Sequence, residues 1–158
     1  MSLTIRNHQQ VRAVNTPLLR RLTQSLLKDH LKQSDYLLGI NLVSAKKMSR
    51  INEAFLQHTG STDVITFDYN EGQTGKPLCG EMFICLNDAV AQAKDFNTTW
   101  QSELARYVIH GLLHLSGYDD LQPALRREMK REESRLLKAL SKSFPLSKLA
   151  LRSNRKTS

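Results

Sequence analysis

The stretch Tyr107-Val-Ile-His-Gly-Leu-Leu-His-Leu-Ser-Gly-Tyr-Asp-Asp120 carries the residue types best suited to hold a metal ion. His110 and His114 stand four apart, so on an α-helix both imidazoles project from one side, about 6 Å apart along the axis. Leu104, Val108, Leu112 and Leu115 recur at helical spacing on another face and seat that helix in a core. Gly117 follows where a helix needs a residue tolerant of positive φ to stop and turn. The turn sends Tyr118, Asp119 and Asp120 back towards the imidazoles. Two imidazoles and one carboxylate converging on a point make a three-ligand zinc site with a position left for water. Asp119 is the alternative carboxylate. A tight turn returns one of two neighbours to the metal, and we assign that place to Asp120.

The spacing H-x3-H-x5-D, with a glycine three residues after the second histidine, is the long zinc-protease pattern H-E-x-x-H-x-x-G-x-x-H with two changes. Gly111 stands in place of the glutamate and Asp120 in place of the third histidine. Two histidines four apart are, alone, most often a satisfied pair on a helix; the placed glycine and carboxylate lift the metal reading above that. In the proteases the glutamate is the general base, and nothing acidic lies beside His110 in sequence to replace it. The metal therefore either fixes a turn or supports chemistry with help from elsewhere in the chain. Three ligands and an open position favour chemistry, because structural zinc normally closes with four. Peptidase activity is demoted by the missing base.

The chain of 158 residues is long enough for one domain with a proper core. No apolar run approaches a membrane span, and Met1-Ser-Leu-Thr lacks the charged-then-apolar start of a secretion signal. The expectation is a cytoplasmic protein with no membrane partner. Cys79 and Cys85 read as small buried hydrophobes. The net charge of +8 is unevenly placed: twelve Lys/Arg and twelve Asp/Glu cancel in residues 1–120, whereas residues 121–158 hold eleven Lys/Arg against Glu128, Glu132 and Glu133. Such a segment attracts phosphate backbones through counterion release. A solvated helix face explains it equally well until it is set beside a metal site without a protease base. Arg126, Arg127 and Lys130 are the candidate nucleic-acid contacts.

The elements that must position these groups follow from patterning. Leu3 to His8 alternates as a strand; Asn15-Thr-Pro17 starts a helix that keeps its leucine spacing to about Leu31; Tyr36 to Val43 is a second strand. Ser44 caps a helix with Met48, Ile51, Phe55 and Leu56 inward, and Thr62 to Asp68 is a third strand. After a turn-rich loop at 70–77, Gly80 to Leu86 forms a fourth strand, antiparallel to the third. Asn87 caps a helix to about Phe96, and Thr98 with Gln101 fits a capping box ahead of the metal-motif helix. From Pro123 a charged helix runs to about Leu140 on a stripe of Leu125, Met129, Leu136 and Leu140, and beyond Phe144-Pro145 the chain loses order. The reading is one α+β domain over residues 1–142 with a small mixed sheet, and a basic, disordered tail over 143–158.

A second polar constellation lies between Phe55 and Asp68. His58 ends a helix, where it could contact phosphate or shuttle a proton. Capping and turn chemistry account for Thr59, Ser61 and Asp63.

The segments His110 to Asp120, Thr62-Asp-Val-Ile-Thr-Phe67 and Gly80-Glu-Met-Phe-Ile84, in this order and spacing, resemble the YbeY family of bacterial endoribonucleases, and the resemblance runs from about Leu3 to Leu140. It implies a single α+β domain with a mostly parallel four-stranded sheet beside helices, and one zinc ion per chain. It implies cleavage of single-stranded RNA, maturation of the 3′ end of small-subunit ribosomal RNA and ribosome quality control, with small-subunit proteins and assembly factors as partners. By that resemblance His110 and His114 are the first two zinc ligands, and Asp120 takes the place usually held by a third histidine. His58 stands where many members carry an arginine implicated in RNA cleavage, so His58 and His114 are the expected catalytic residues. Glu81 replaces the aspartate common after that glycine. An aspartate ligand adds negative charge and makes the metal less Lewis-acidic. Two other readings remain: a non-catalytic RNA-binding assembly factor whose metal fixes the 110–120 turn, and a zinc peptidase with an unusual base.

Overall fold

Leu38, Ile40 and Leu42 alternate along Tyr36–Val43 (β2), and with Met82 and Ile84 of Leu78–Cys85 (β4) they form the buried apolar centre of a four-stranded sheet. The computed structural model describes residues 2–56, 63–73 and 75–151. The strand order is β1 (Ser2–His8), β2, β4 and β3 (Val64–Asp68). β1, β2 and β4 run parallel, and β3 lies antiparallel on the β4 edge. The single α+β domain with a mostly parallel mixed sheet is therefore as expected.

Parallel neighbours need a crossover. Between β1 and β2 it is α1 (Thr16–Ser25), continued by a π-helical turn at Leu26–His30. The side chain of Asn15 accepts the N–H of Leu18, Pro17 occupies the first turn, and Leu18, Leu19, Leu22, Leu26 and Leu27 are buried against the sheet side of the core. On the other face α2 (Ala45–Ile51) buries Met48 and Ile51 with Val43, Ile65 and Cys85. The helix carrying the metal motif, α4 (Trp100–Leu115), crosses β3 and β4, with α3 (Leu86–Asp95) and α5 (Pro123–Ser143) packed beside it. Its approach to the sheet is close. A Cβ at Gly111 would lie 2.9 Å from the Met82 sulfur, and one at Gly80 only 2.8 Å from the Leu115 side chain.

Several local expectations are corrected. Phe55 is 68% exposed rather than inward, its ring edge-on to Phe67; the π-helical turn at Asn52–Leu56 shifts the register off the 3.6-residue period that would have buried it. Leu125, in the first turn of α5, is 37% exposed, and the buried stripe begins at Met129 and passes through Glu133. Asn87 does not cap α3; its side-chain oxygen accepts the Ala45 N–H (2.7 Å) and ties the start of α3 to α2. The cap of α4 is Thr99, which accepts the Ser102 N–H, while the Thr98 hydroxyl donates to Glu103 at 2.8 Å.

The largest correction concerns the C-terminus. Leu146–Leu149 forms a 3-10 turn that buries Leu149 against α1 and α4. The Asn15 N–H donates to the Leu149 carbonyl (2.7 Å) and the Leu151 N–H to the Ala13 carbonyl (3.0 Å), around a bridge between Val14 and Ala150. The packed chain thus continues to Leu151, past the expected boundary at 142; a single short turn carries too little periodicity to be read as an element. Leu149→Ala is expected to cost roughly 2–5 kcal/mol in urea unfolding, whereas parental stability would show that this turn is peripheral to the core.

Candidate metal centre

Helix α4 presents His110 and His114 one turn apart, their rings edge-to-face with centroids 4.6 Å apart. Each ring is held by its Nδ1. His110 Nδ1 donates to Glu133 Oε2 at 2.9 Å, and His114 Nδ1 donates to the Tyr118 carbonyl at 3.2 Å. A carbonyl only accepts, so His114 must carry its proton on Nδ1 and turn an unprotonated Nε2 inward. The two Nε2 atoms lie 3.1 Å apart. Two lone pairs facing at that distance repel unless a positive charge, a proton or a metal ion, lies between them.

The third donor comes from the turn. Gly117 has φ +104°, and the Gly117 and Tyr118 N–H groups return to the His114 and Leu113 carbonyls, at 3.1 and 2.9 Å, closing the helix in a Schellman motif. The reversal brings Asp120 Oδ2 to 3.6 Å from His114 Nε2. Asp119 is used within the turn, where its carboxylate accepts the Leu121 N–H at 2.6 Å. Donor atoms of His110, His114 and Asp120 all lie within 4.8 Å of one another and could hold a metal ion. Four-coordinate zinc with bonds of 2.0–2.1 Å places neighbouring nitrogen donors about 3.3 Å apart, and the observed 3.1 and 3.6 Å bracket that spacing. The donor set fits.

Glu133 is the functional residue that sequence reading missed. It is buried on α5, with Oε2 on His110 and Oε1 accepting from Arg106 at 3.2 Å. Arg106 also lies 3.9 Å from Glu103, whose other oxygen takes the Thr98 hydroxyl. A ligand histidine whose second nitrogen binds a carboxylate is the usual way of fixing ring orientation and raising basicity. Burial alone would lower the His110 pKa; the hydrogen bond and charge of Glu133, then the charges of Asp63 and Asp120, outweigh it and set the value above the ordinary imidazole range. One signal was present: Glu133 falls on the stripe Met129, Leu136, Leu140, and an acid on a buried helix face needs a partner.

Beside the three donors opens a cleft of about 430 Å³. Asp120, His110 and Glu133 line one end, and Arg126 and Lys130 line the α5 wall; Arg127 lies outside it. Tyr107 lines it too, its hydroxyl buried without a hydrogen-bond partner among the described residues. Burial first, then the charges of Asp63 and Glu103, raise the phenol above the ordinary tyrosine range and keep it protonated. His58 lies outside the described residues; Asp63, five residues on, lines the cleft. Gly111 packs on Met82 and Thr66, so the position of the protease glutamate faces the sheet.

Known proteins resemble this chain in sequence and in fold. A sequence model of the family described as Endoribonuclease YbeY matches residues 4–141. The endoribonuclease YbeY of Salinibacter ruber is 37% identical over 109 residues, covering 65% of this chain and 69% of that protein. That of Chlorobium luteolum is 34% identical over 140 residues, covering 89% and 98%. The solution structure of a Thermotoga maritima protein superposes with a TM-score of 0.67 at 25% identity, over 99% of this chain and all of that one. The matched span includes the sheet, both histidines, Asp120 and Glu133, and the chain belongs to the endoribonuclease YbeY family.

Proposed function

We propose that this chain is a zinc-dependent endoribonuclease that cuts single-stranded RNA in the cytoplasm. Its substrate on this reading is the 3′ end of small-subunit ribosomal RNA, and its partners are small-subunit proteins and assembly factors. One observation carries the reading: in a member of an endoribonuclease family, His110, His114 and Asp120 converge at the end of a cleft walled by Arg126 and Lys130.

His110, His114 and Asp120 would hold one ion, for which their spacing is suited. When bound, zinc supplies Lewis acidity to a phosphoryl oxygen and makes water acidic enough to act near neutral pH. The chain's own groups do the rest. Glu133 and the Tyr118 carbonyl orient the two imidazoles. Arg126 and Lys130 hold the phosphates of the strand, with Arg127 as a contact outside the cleft. The neutral Tyr107 hydroxyl lies in the same cleft as a donor without a partner among the described residues. His58, five residues before Asp63, is proposed as proton donor or phosphate contact. A cyclic or 3′-phosphate product would identify the 2′-hydroxyl as nucleophile, and a 3′-hydroxyl with a 5′-phosphate would identify water.

A non-catalytic assembly factor is the second reading, favoured by how completely the 110–120 turn is tied to its own backbone. His114→Ala separates the two. An enzyme loses RNA cleavage and bound metal while keeping RNA binding; a parent protein that never cleaves, and that unfolds once its metal is chelated, is the assembly factor. Glu133→Gln is expected to weaken metal binding roughly 10- to 100-fold, read by competition with a chelating dye, and an unchanged affinity would remove Glu133 from the centre.

Proton and metal compete for His110. In the metal-free chain its raised pKa contributes stability that is full below about pH 6.5 and fades as pH rises through the folded-state value. Metal retention runs the opposite way and is lost as pH falls through that value. Urea unfolding of chelated and metal-loaded protein across neutral pH is expected to give these opposed slopes, with Glu133→Gln flattening the first.

A further inference from the structure

We propose that Phe96 is a stacking platform for one unpaired base, and that the cleft between it and Arg126 and Lys130 is a subsite for the nucleotide next to the scissile phosphate. This deepens the RNA-cleavage reading and rests on it.

Phe96 ends α3 and is 68% exposed, yet it is not on open surface: it lines the cleft whose other end holds His110 and Asp120. Asn97, at φ +55°, turns the chain sharply after it. Gln92, one helical turn before Phe96, lines the same cleft and offers both a donor and an acceptor. Arg126 and Lys130 stand four apart on α5 and line the same cleft. Lys130 makes no ion pair among the described residues, and the Arg126 guanidinium is engaged there only through Nε, on the Asp120 carbonyl at 3.3 Å. The acids lining the cleft are otherwise occupied: Glu103 and Glu133 meet Arg106, Asp120 belongs to the metal triad, and Asp63 is engaged as well. The unspent charge on the rim is therefore cationic.

An exposed aromatic ring and two cations without an acidic partner among the described residues, lining one cleft, suit single-stranded nucleic acid: the cations track phosphate, and the ring accepts any base. The volume, about 430 Å³, lies near the low end of small-ligand sites, about 300–1,000 Å³, and suits one nucleotide rather than a helix. A base within a duplex has both faces covered by its neighbours, so only an unstacked one can lie on Phe96. Specificity for single strands then arises on the ring of Phe96.

The test uses the full chain and a labelled single-stranded oligoribonucleotide carrying one 2-aminopurine. Binding is measured with chelator present, so that nothing is cut, and cleavage is measured with zinc added. Phe96→Ala is expected to weaken single-strand binding about 5- to 100-fold, to raise KM more than it lowers kcat, and to abolish the fluorescence quenching that stacking causes. Phe96→Trp restores all three. Because the ring is exposed, unfolding of Phe96→Ala should match the parent. If the parent binds and cleaves while Phe96→Ala binds as tightly and quenches as strongly, the subsite is wrong and the nuclease stands. Equal losses on duplex and single-stranded RNA also overturn it. A parent that neither binds nor cleaves single-stranded RNA removes both readings.

Discussion

Two imidazole nitrogens held 3.1 Å apart constrain everything around them. Both rings leave the same helix, but neither is oriented by it. His110 is turned by Glu133 from α5, and His114 by the Tyr118 carbonyl beyond the turn. The centre therefore exists only when α4, the turn and α5 are all in place. The dependence is mutual. A carboxylate as buried as Glu133 is costly without partners, and its partners are His110 and Arg106. Docking of α5 sets Glu133 between His110 and Arg106, so packing and site formation are coupled.

The close seating of α4 on the sheet explains why this centre lacks the protease base. Residue 111 is about 100° around the helix from His110, which turns it onto Met82 and Thr66. Glycine there lets the helix lie flat on β4, and the metal-facing side is left to the histidines. An acid at the same position would point into the core. The acidic help comes instead from Glu133, which reaches the histidine from behind and acts on orientation rather than on water.

Most of the frame was legible because its signals are local. Alternation marked β1, an apolar run β2, β-branched and aromatic residues β3 and the turn-rich loop before it β4, and the buried leucines of α1 marked its inner face. The three candidate donors were legible because they fall within one helix and its turn, where fixed backbone geometry converts spacing into direction. What failed was either one residue out or long in range. Thr98 and Thr99 both suit a cap, and only the hydrogen bond to Ser102 distinguishes them. Phe55 was misplaced because a π-helical turn breaks the period used to read it. The last turn around Leu149 is held by residues 13–15 on the opposite end of the chain, a relation no window of sequence contains. Glu133 was counted among the charges of a solvated helix, although its place on the apolar stripe marked it as buried.

That miscount changes what the basic segment means. A net charge assigned to residues 121–158 treats α5 as a uniform cationic rod, but its faces do different work. Glu133 points at α4, Arg126 and Lys130 line the cleft, and Arg127 lies outside it. The distinction matters for attraction. A divalent ion held by Asp120, with Glu133 behind His110, would have its two positive charges matched by two carboxylates, leaving little field to draw in a phosphodiester. On the proposed reading the pull on RNA then comes from Arg126 and Lys130, which make no ion pair with an acid among the described residues. A neutral third ligand would leave the ion itself more charge to contribute; with Asp120 in that place, the proposed RNA contact would rest more on the cations of α5.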